Sequence, residues 1–297
     1  MRRRAVPPML LDGDTIEGVT DMAVTSDIRE PIDIGGKELW AERRGQGPDV
    51  LLLAGLSDPV EAWELQLGGL SDRYRVTAFD NVGAGRSPLP EAPFTVADMA
   101  DDAAALLRAL DIEAAHVAGF SGGSAIAQEL ALRHPDLVRS LVLISTWAKP
   151  DSYFRTMLDS WRWLADSAPS ERAMLEAFFL WIYTPRAHND GTVDQIIEEA
   201  LAFPHPQSAE AFNRQLDAFA THDTLDRLAD IAVPTLVMAG GIDLATPPRF
   251  GRVVAEAIPG ARFEVLPEEA HQPFQEMPNE FNARVDAFWR DVEAASG

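Results

Sequence analysis

Ser121 stands at the centre of Gly119-Phe120-Ser121-Gly122-Gly123, after the strand-like run Ala115-His116-Val117-Ala118 and before the helix-like run Ser124 to Arg133. A serine on so tight a strand-to-helix turn presents its hydroxyl as a nucleophile. The residues two positions either side must be small, because a Cβ at 119 or 123 would strike the adjoining backbone. A hydroxyl attacks poorly until a base takes its proton, and the base needs an acceptor on its other nitrogen to fix its tautomer. Both groups occur downstream. Asp243 lies in Gly240-Gly241-Ile242-Asp243-Leu244-Ala245-Thr246-Pro247, and His271 lies in Glu268-Glu269-Ala270-His271-Gln272-Pro273-Phe274. The chemistry implied is acyl transfer through a covalent acyl-enzyme. Asp151 is the positional rival to Asp243. Of the other histidines, His116 falls inside a strand and His134 near a helix end before Pro135, while His188, His205 and His222 fall in a helical segment.

A pentapeptide of this kind arises by chance in about one chain in ten of this length, so the order of elements carries the reading. Ile32-Asp33-Ile34 and Glu38 to Arg43 flank the turn Gly35-Gly36, a hairpin signal. Asp49 to Ala54, Arg75 to Phe79 and Leu137 to Ile144 read as strands, and the unbroken apolar runs among them need cover on both faces. Thr95 followed by Asp98 makes a capping box for a helix with apolar positions Val96, Met99, Ala103, Leu106, Leu107 and Leu110. From Pro234 the pattern returns: strand Thr235 to Ala239, helix Pro247 to Ile258, strand Ala261 to Leu266, helix Pro278 to Val292. Ser121, Asp243 and His271 therefore all follow strand C-termini, the edge of an open α/β sheet where ligands bind.

In this arrangement the chain resembles the α/β-hydrolase family over nearly all of Ile28 to Val292. The family's order of nucleophile, acid and histidine is reproduced by Ser121, Asp243 and His271. Asp80-Asn81-Val82-Gly83-Ala84-Gly85-Arg86-Ser87 is similar to the family's DxRGxGxS turn, with Val82 where arginine is usual. The resemblance implies a mainly parallel α/β sheet flanked by helices, with a helical cap inserted at 147–222 between core segments 27–146 and 223–297. It also implies an oxyanion hole from the amides of Gly122 and Leu56. Relatives often carry His-Gly in the loop that holds Leu56, whereas this chain has Ala54-Gly55, so the loop must be held by other means.

Composition narrows the function. Cysteine is absent, so there are neither disulfides nor thiolate chemistry, and the apolar runs are far shorter than the roughly 20 residues that span a bilayer. The net charge of −22 opposes nucleic acid and anionic membranes. Met1-Arg2-Arg3-Arg4 imitates the start of an export signal, but Pro7, Pro8 and Asp12 cut the apolar stretch short, which points to a cytoplasmic protein. Residues 1–26 show no sustained period and read as a disordered extension or an arm docking on a partner subunit; that arm or the cap would support a homo-oligomer. No metal-ligand spacing and no phosphate loop occurs, so neither metal nor cofactor is expected.

Residues 147–183 hold nine of the chain's 24 aromatic residues, a density that suggests an apolar pocket under the cap, with cap-to-core packing the alternative use. The expected substrate-binding residues are Phe120, Tyr153, Trp161, Phe178 and Trp181. From 147 to 222 there are 11 Asp or Glu against six Lys or Arg, unfavourable for an anion. The resemblance is to the enol-lactonase and aryl or polyketide esterase branch, and with that charge it implies a serine hydrolase of a neutral, bulky hydrophobic ester or lactone. A polyketide macrolactone such as zearalenone is one instance. A carbon–carbon bond hydrolase or a perhydrolase would use the same triad, and a non-catalytic small-molecule receptor is the alternative of another class.

Overall fold

The structure, a computed structural model, describes residues 26–296, so the expectation of an N-terminal extension lies outside the described residues but for Ser26. The chain opens with β1 (Ser26–Asp33) and β2 (Glu38–Arg44), paired antiparallel. The turn between them closes because the Asp33 carboxylate accepts the Gly35 and Gly36 amides at 2.9 and 2.7 Å. Both glycines have positive φ, a conformation costly for other residues.

Then come β3 (Asp49–Leu53), α1 (Glu64–Leu70), β4 (Arg75–Phe79), α2 (Val96–Ala109), β5 (Ala115–Phe120), α3 (Gly122–Arg133) and β6 (Val138–Ile144). Thr95 and Asp98 form the expected capping box on α2. Five helices follow β6 before the next strand: α4 (Ser152–Ser167), α5 (Glu171–Phe179), α6 (Pro185–Asn189), α7 (Thr192–Ala202) and α8 (Ala209–Thr221). Asp151, Ser170, Thr184 and Ser208 each start one of them by accepting a backbone amide in the first turn. The chain ends with β7 (Thr235–Gly240), α9 (Pro248–Ala257), β8 (Arg262–Leu266), α10 (Pro273–Glu276) and α11 (Pro278–Ser296).

The eight strands form one sheet in the order β1-β2-β4-β3-β5-β6-β7-β8, parallel from β3 to β8. This is an α/β fold with a mainly parallel sheet. Strand periodicity divides the apolar residues between two faces. Leu51, Leu53, Val117, Leu141 and Val237 pack with α2, α3 and α9, while Val50, Leu52, Ala118, Val142 and Met238 pack with α1 and α11. A central strand buried on both sides has no polar face, which is why its sequence is an unbroken apolar run. No helix among the described residues is long and apolar enough to cross a membrane.

Candidate active site

The turn after β5 has no spare volume. A Cβ on Gly119 would lie 2.3 Å from the Gly123 carbonyl oxygen, and one on Gly123 would lie 2.0 Å from that of Leu53. Ser121 itself is held at φ 49°, ψ −118°. Strain of this type costs on the order of 1–3 kcal/mol and persists where surrounding structure fixes it. Here the Ser121 amide donates to the Ile144 carbonyl at 2.9 Å, and the Ser124 hydroxyl donates to the Ser121 carbonyl at 2.6 Å.

The structure brings the three sequence-predicted residues into one chain of contacts. His271 Nε2 is 2.9 Å from Ser121 Oγ, and His271 Nδ1 is 2.8 Å from Asp243 Oδ2. Asp243 also accepts the Ala245 and Thr246 amides at 2.8 and 2.9 Å and the Thr246 hydroxyl at 2.9 Å. Burial opposes the charge of Asp243, yet His271 and the Thr246 donors hold its carboxyl below the usual carboxylate range. An ionised acceptor so fixed engages Nδ1 and turns Nε2 towards the serine. Asp151, the rival acid, instead caps α4 and pairs with Arg249 at 2.6 Å. His271 is tethered from two sides: its amide donates to the Ile182 carbonyl at 3.0 Å, and its carbonyl accepts the Ser145 hydroxyl at 2.8 Å.

The Leu56 and Gly122 amides donate to no acceptor among the described residues, so both are available to a developing oxyanion. Without the usual histidine, three side chains hold the Leu56 loop. Asn81 Nδ2 donates to the Ala54 carbonyl at 3.0 Å, and Asp80 accepts the Val60 amide at 2.6 Å. Gln215, from α8, accepts the Ser57 amide at 3.1 Å and donates to the Val82 carbonyl at 3.0 Å. The same helix reaches the other donor: a Cβ on Gly122 would lie 2.3 Å from the Phe219 ring.

A cavity of about 1140 Å³ opens onto Ser121 and His271. Phe120, Trp161 and Phe178 line it, joined by Phe179, Phe203 and Phe212. Two expectations are corrected. Tyr153 is 40% exposed on the outer side of α4, where its hydroxyl donates to the Leu244 carbonyl. Trp181 lies behind the wall, edge-on to Trp161 with ring centres 6.3 Å apart. Sequence reasoning did not single out Asp58, which lines the cavity within the Leu56 loop. Burial pushes its carboxyl up to about 7, although His271 and the Gly55 amide favour its charged form. Its only sequence signal was its place in a loop after a strand C-terminus. No cluster of ligands able to hold a metal ion occurs among the described residues.

A sequence model of the family described as alpha/beta hydrolase fold matches residues 48–278. A protein of Azorhizobium caulinodans named "Putative carbamate hydrolase RutD" is 34% identical over 262 residues, covering 87% of this chain and 97% of its own. Among solved structures, the enol-lactonase from Burkholderia xenovorans LB400 superposes with a TM-score of 0.79 at 27% identity, covering 88% of this chain and 99% of its own. "Putative non-heme bromoperoxidase BpoC" from Mycobacterium tuberculosis H37Rv superposes with a TM-score of 0.76 at 31% identity, covering 86% and 96%.

Proposed function

The chain belongs to the α/β-hydrolase fold family, and from that premise we propose that it is a serine hydrolase of the ester or lactone bond of bulky, apolar, uncharged molecules. The observation that carries this reading is the unbroken line Asp243–His271–Ser121, with contacts of 2.8 and 2.9 Å, at the floor of a large aromatic cavity. Ser121 Oγ attacks the carbonyl carbon while His271 Nε2 takes its proton, and the charge passes to the carbonyl oxygen between the Leu56 and Gly122 amides. Collapse breaks the bond to the leaving oxygen, which receives the proton from His271. Water, activated by the same histidine, then releases the acid and restores Ser121.

The cavity supports the substrate class. Its wall includes five carboxylate residues, of which Glu61 and Glu64 are paired with Arg86 and Arg44, and neither lysine nor arginine lines it, so an anionic substrate would find no cation there and meet the charge of the remaining carboxylates. The 147–222 segment serves as the lid of this cavity. A carbamate, the class in the RutD relative's name, presents a similar carbonyl, but a small one leaves most of about 1140 Å³ unfilled. The enol-lactonase neighbour agrees with a cyclic ester, and zearalenone is the macrolactone to be tested.

The deciding experiment screens neutral esters and lactones, zearalenone included, with mass-spectrometric identification of products, alongside labelling by a fluorophosphonate. Acid and alcohol products with label on Ser121 alone are expected. Turnover of vinylogous diketones but of no ester or lactone would move the assignment to carbon–carbon hydrolysis.

A further inference from the structure

Asp58 is one of five carboxylate residues in the cavity wall, none of which the acyl-transfer scheme uses, and it is the one beside the base. Glu61 and Glu64, its neighbours in the wall, are occupied by Arg86 and Arg44, each at 2.6–2.7 Å. No side chain among the described residues forms a hydrogen bond or ion pair with Asp58. Its carboxylate packs against Gly55, where an added Cβ would lie 3.1 Å from Oδ2, and its charge is felt by His271 and by the Tyr183 hydroxyl. Asp58 is thus partly open to the cavity, two residues from the Leu56 amide, and beside the base.

A carboxylate in such surroundings has lost water and is left with the Gly55 amide but neither a cation nor a side-chain donor, an arrangement that costs free energy unless an incoming group supplies a further donor. The Tyr183 hydroxyl, which feels the charge of Asp58, is directed away from it to Gln272 and Gln275 at 2.8 and 2.7 Å. We propose that Asp58 is a specificity-determining residue that accepts a hydrogen bond from a hydroxyl or protonated amine carried by the substrate near its scissile carbonyl. This rests on the serine-hydrolase reading and narrows its substrate class: apolar in bulk, never anionic, with one hydrogen-bond donor close to the ester. The aromatic walls suit the rest of such a molecule, and they tolerate an ammonium head as well as an alkyl one.

Two isosteric pairs of esters test it. In the first, phenyl 3-hydroxybutanoate is compared with phenyl 3-methylbutanoate, placing the donor on the acyl side. In the second, 2-(dimethylamino)ethyl phenylacetate is compared with 3-methylbutyl phenylacetate, placing a cation on the alcohol side. The protein should prefer the donor-bearing member of at least one pair by about 10- to 100-fold in kcat/KM, the range for a hydrogen bond to a charged group. Asp58→Ala should bring that ratio close to one, and Asp58→Asn, which keeps the shape and loses the charge, should reduce it most for the amine.

The wild-type protein alone gives a second measurement should the variants not fold. The titratable groups facing Asp58 are His271, from the loop after β8, and Tyr183, which burial keeps protonated. Both serve the two members of a pair alike, so the ratio isolates Asp58. For the amine pair it should rise as pH passes upward through about 7, where Asp58 ionises. A ratio near one for both pairs in the wild type, or a preference that survives Asp58→Ala unchanged, would overturn the role of Asp58. If no ester were turned over and fluorophosphonate left Ser121 unlabelled, it is the hydrolase reading that would fall.

Discussion

At the scale of single residues the site makes sharp demands. Ser121→Ala should lower turnover by about 10⁴- to 10⁶-fold with the fold intact, because a triad acts as a unit and what remains is oxyanion stabilisation and binding. Circular dichroism beside steady-state kinetics checks both halves, and comparable turnover in the variant would remove Ser121 from the reaction. Asp243→Asn should cost up to about 10⁴-fold, since an amide no longer enforces the tautomer that aims Nε2 at Ser121. Asp151→Asn is the control: its carboxylate serves α4 and Arg249, so its removal should touch stability and leave kcat alone. The juxtaposition of Ser121, Asp243 and His271 was legible in the sequence because each follows a strand in a loop with few alternatives. Tyr153 was not, for a reason of helical phase. A stripe written as Tyr153 or Phe154, Met157, Trp161 fits either first residue, and only packing decides between them. Phe154 turned inward, 2% exposed against Trp147 and Phe250, and that rotation sent Tyr153 to solvent.

The elements show what local sequence patterns leave out. The strands and the α2 cap were readable because period and capping act over a few residues, and a buried parallel strand advertises itself as an apolar run. How α8 secures the Leu56 loop was not readable: Gln215 and Ser57 are 158 residues apart, and no periodicity records such a contact. The helical insertion grips the site at both sides, through Gln215 at the Leu56 loop and through Ile182 at His271. Gln215→Ala should therefore lower kcat by about 10- to 100-fold, less than the 10²–10³ for outright loss of an oxyanion donor, with KM little changed. Gln215→Glu retains the acceptor for Ser57 but not the donor to Val82, and should recover part of that loss. An equal fall in kcat for both variants, or a change confined to KM, would count against a positioning role. Trp161 and Trp181 make a second contrast within the insertion. Trp161→Ala should reduce kcat/KM for a large aromatic lactone by about 10- to 100-fold more than for a short acetate ester, as expected from apolar burial at roughly 25 cal/mol per Å². Trp181→Ala, one layer further out, should lower the melting temperature with no such preference; equal substrate profiles for the two variants would place neither ring at the substrate.

For the whole molecule, the balance of buried titratable groups determines how stability varies with pH. His116 and His222 are both buried, and burial pushes each imidazole down to about 4. His116 keeps partners in Ser140 and Glu293, at 2.8 and 3.0 Å, whereas His222 Nδ1 has none among the described residues. A histidine whose folded pKa is depressed takes up its proton first in the unfolded chain. Between pH 6.5 and about 4 the unfolded state then holds the extra proton, so stability falls as pH falls through that window and the loss is complete below it. Asp58 and Asp80 act in the opposite sense, because burial raises both carboxyls and favours the folded protein as pH drops below their folded values. The net curve mixes these contributions, but a single substitution separates one of them. His222→Gln removes one titrating imidazole and leaves Asp58, Asp80 and His116 in place, so the difference between the two curves reports His222 alone. Denaturant unfolding at pH 7 and pH 4.5 should show the variant losing about 2–3 kcal/mol less than the wild type over that interval, at 1.36 kcal/mol per pH unit. Parallel losses in the two proteins would mean that His222 is already protonated in the folded state or exposed to water there.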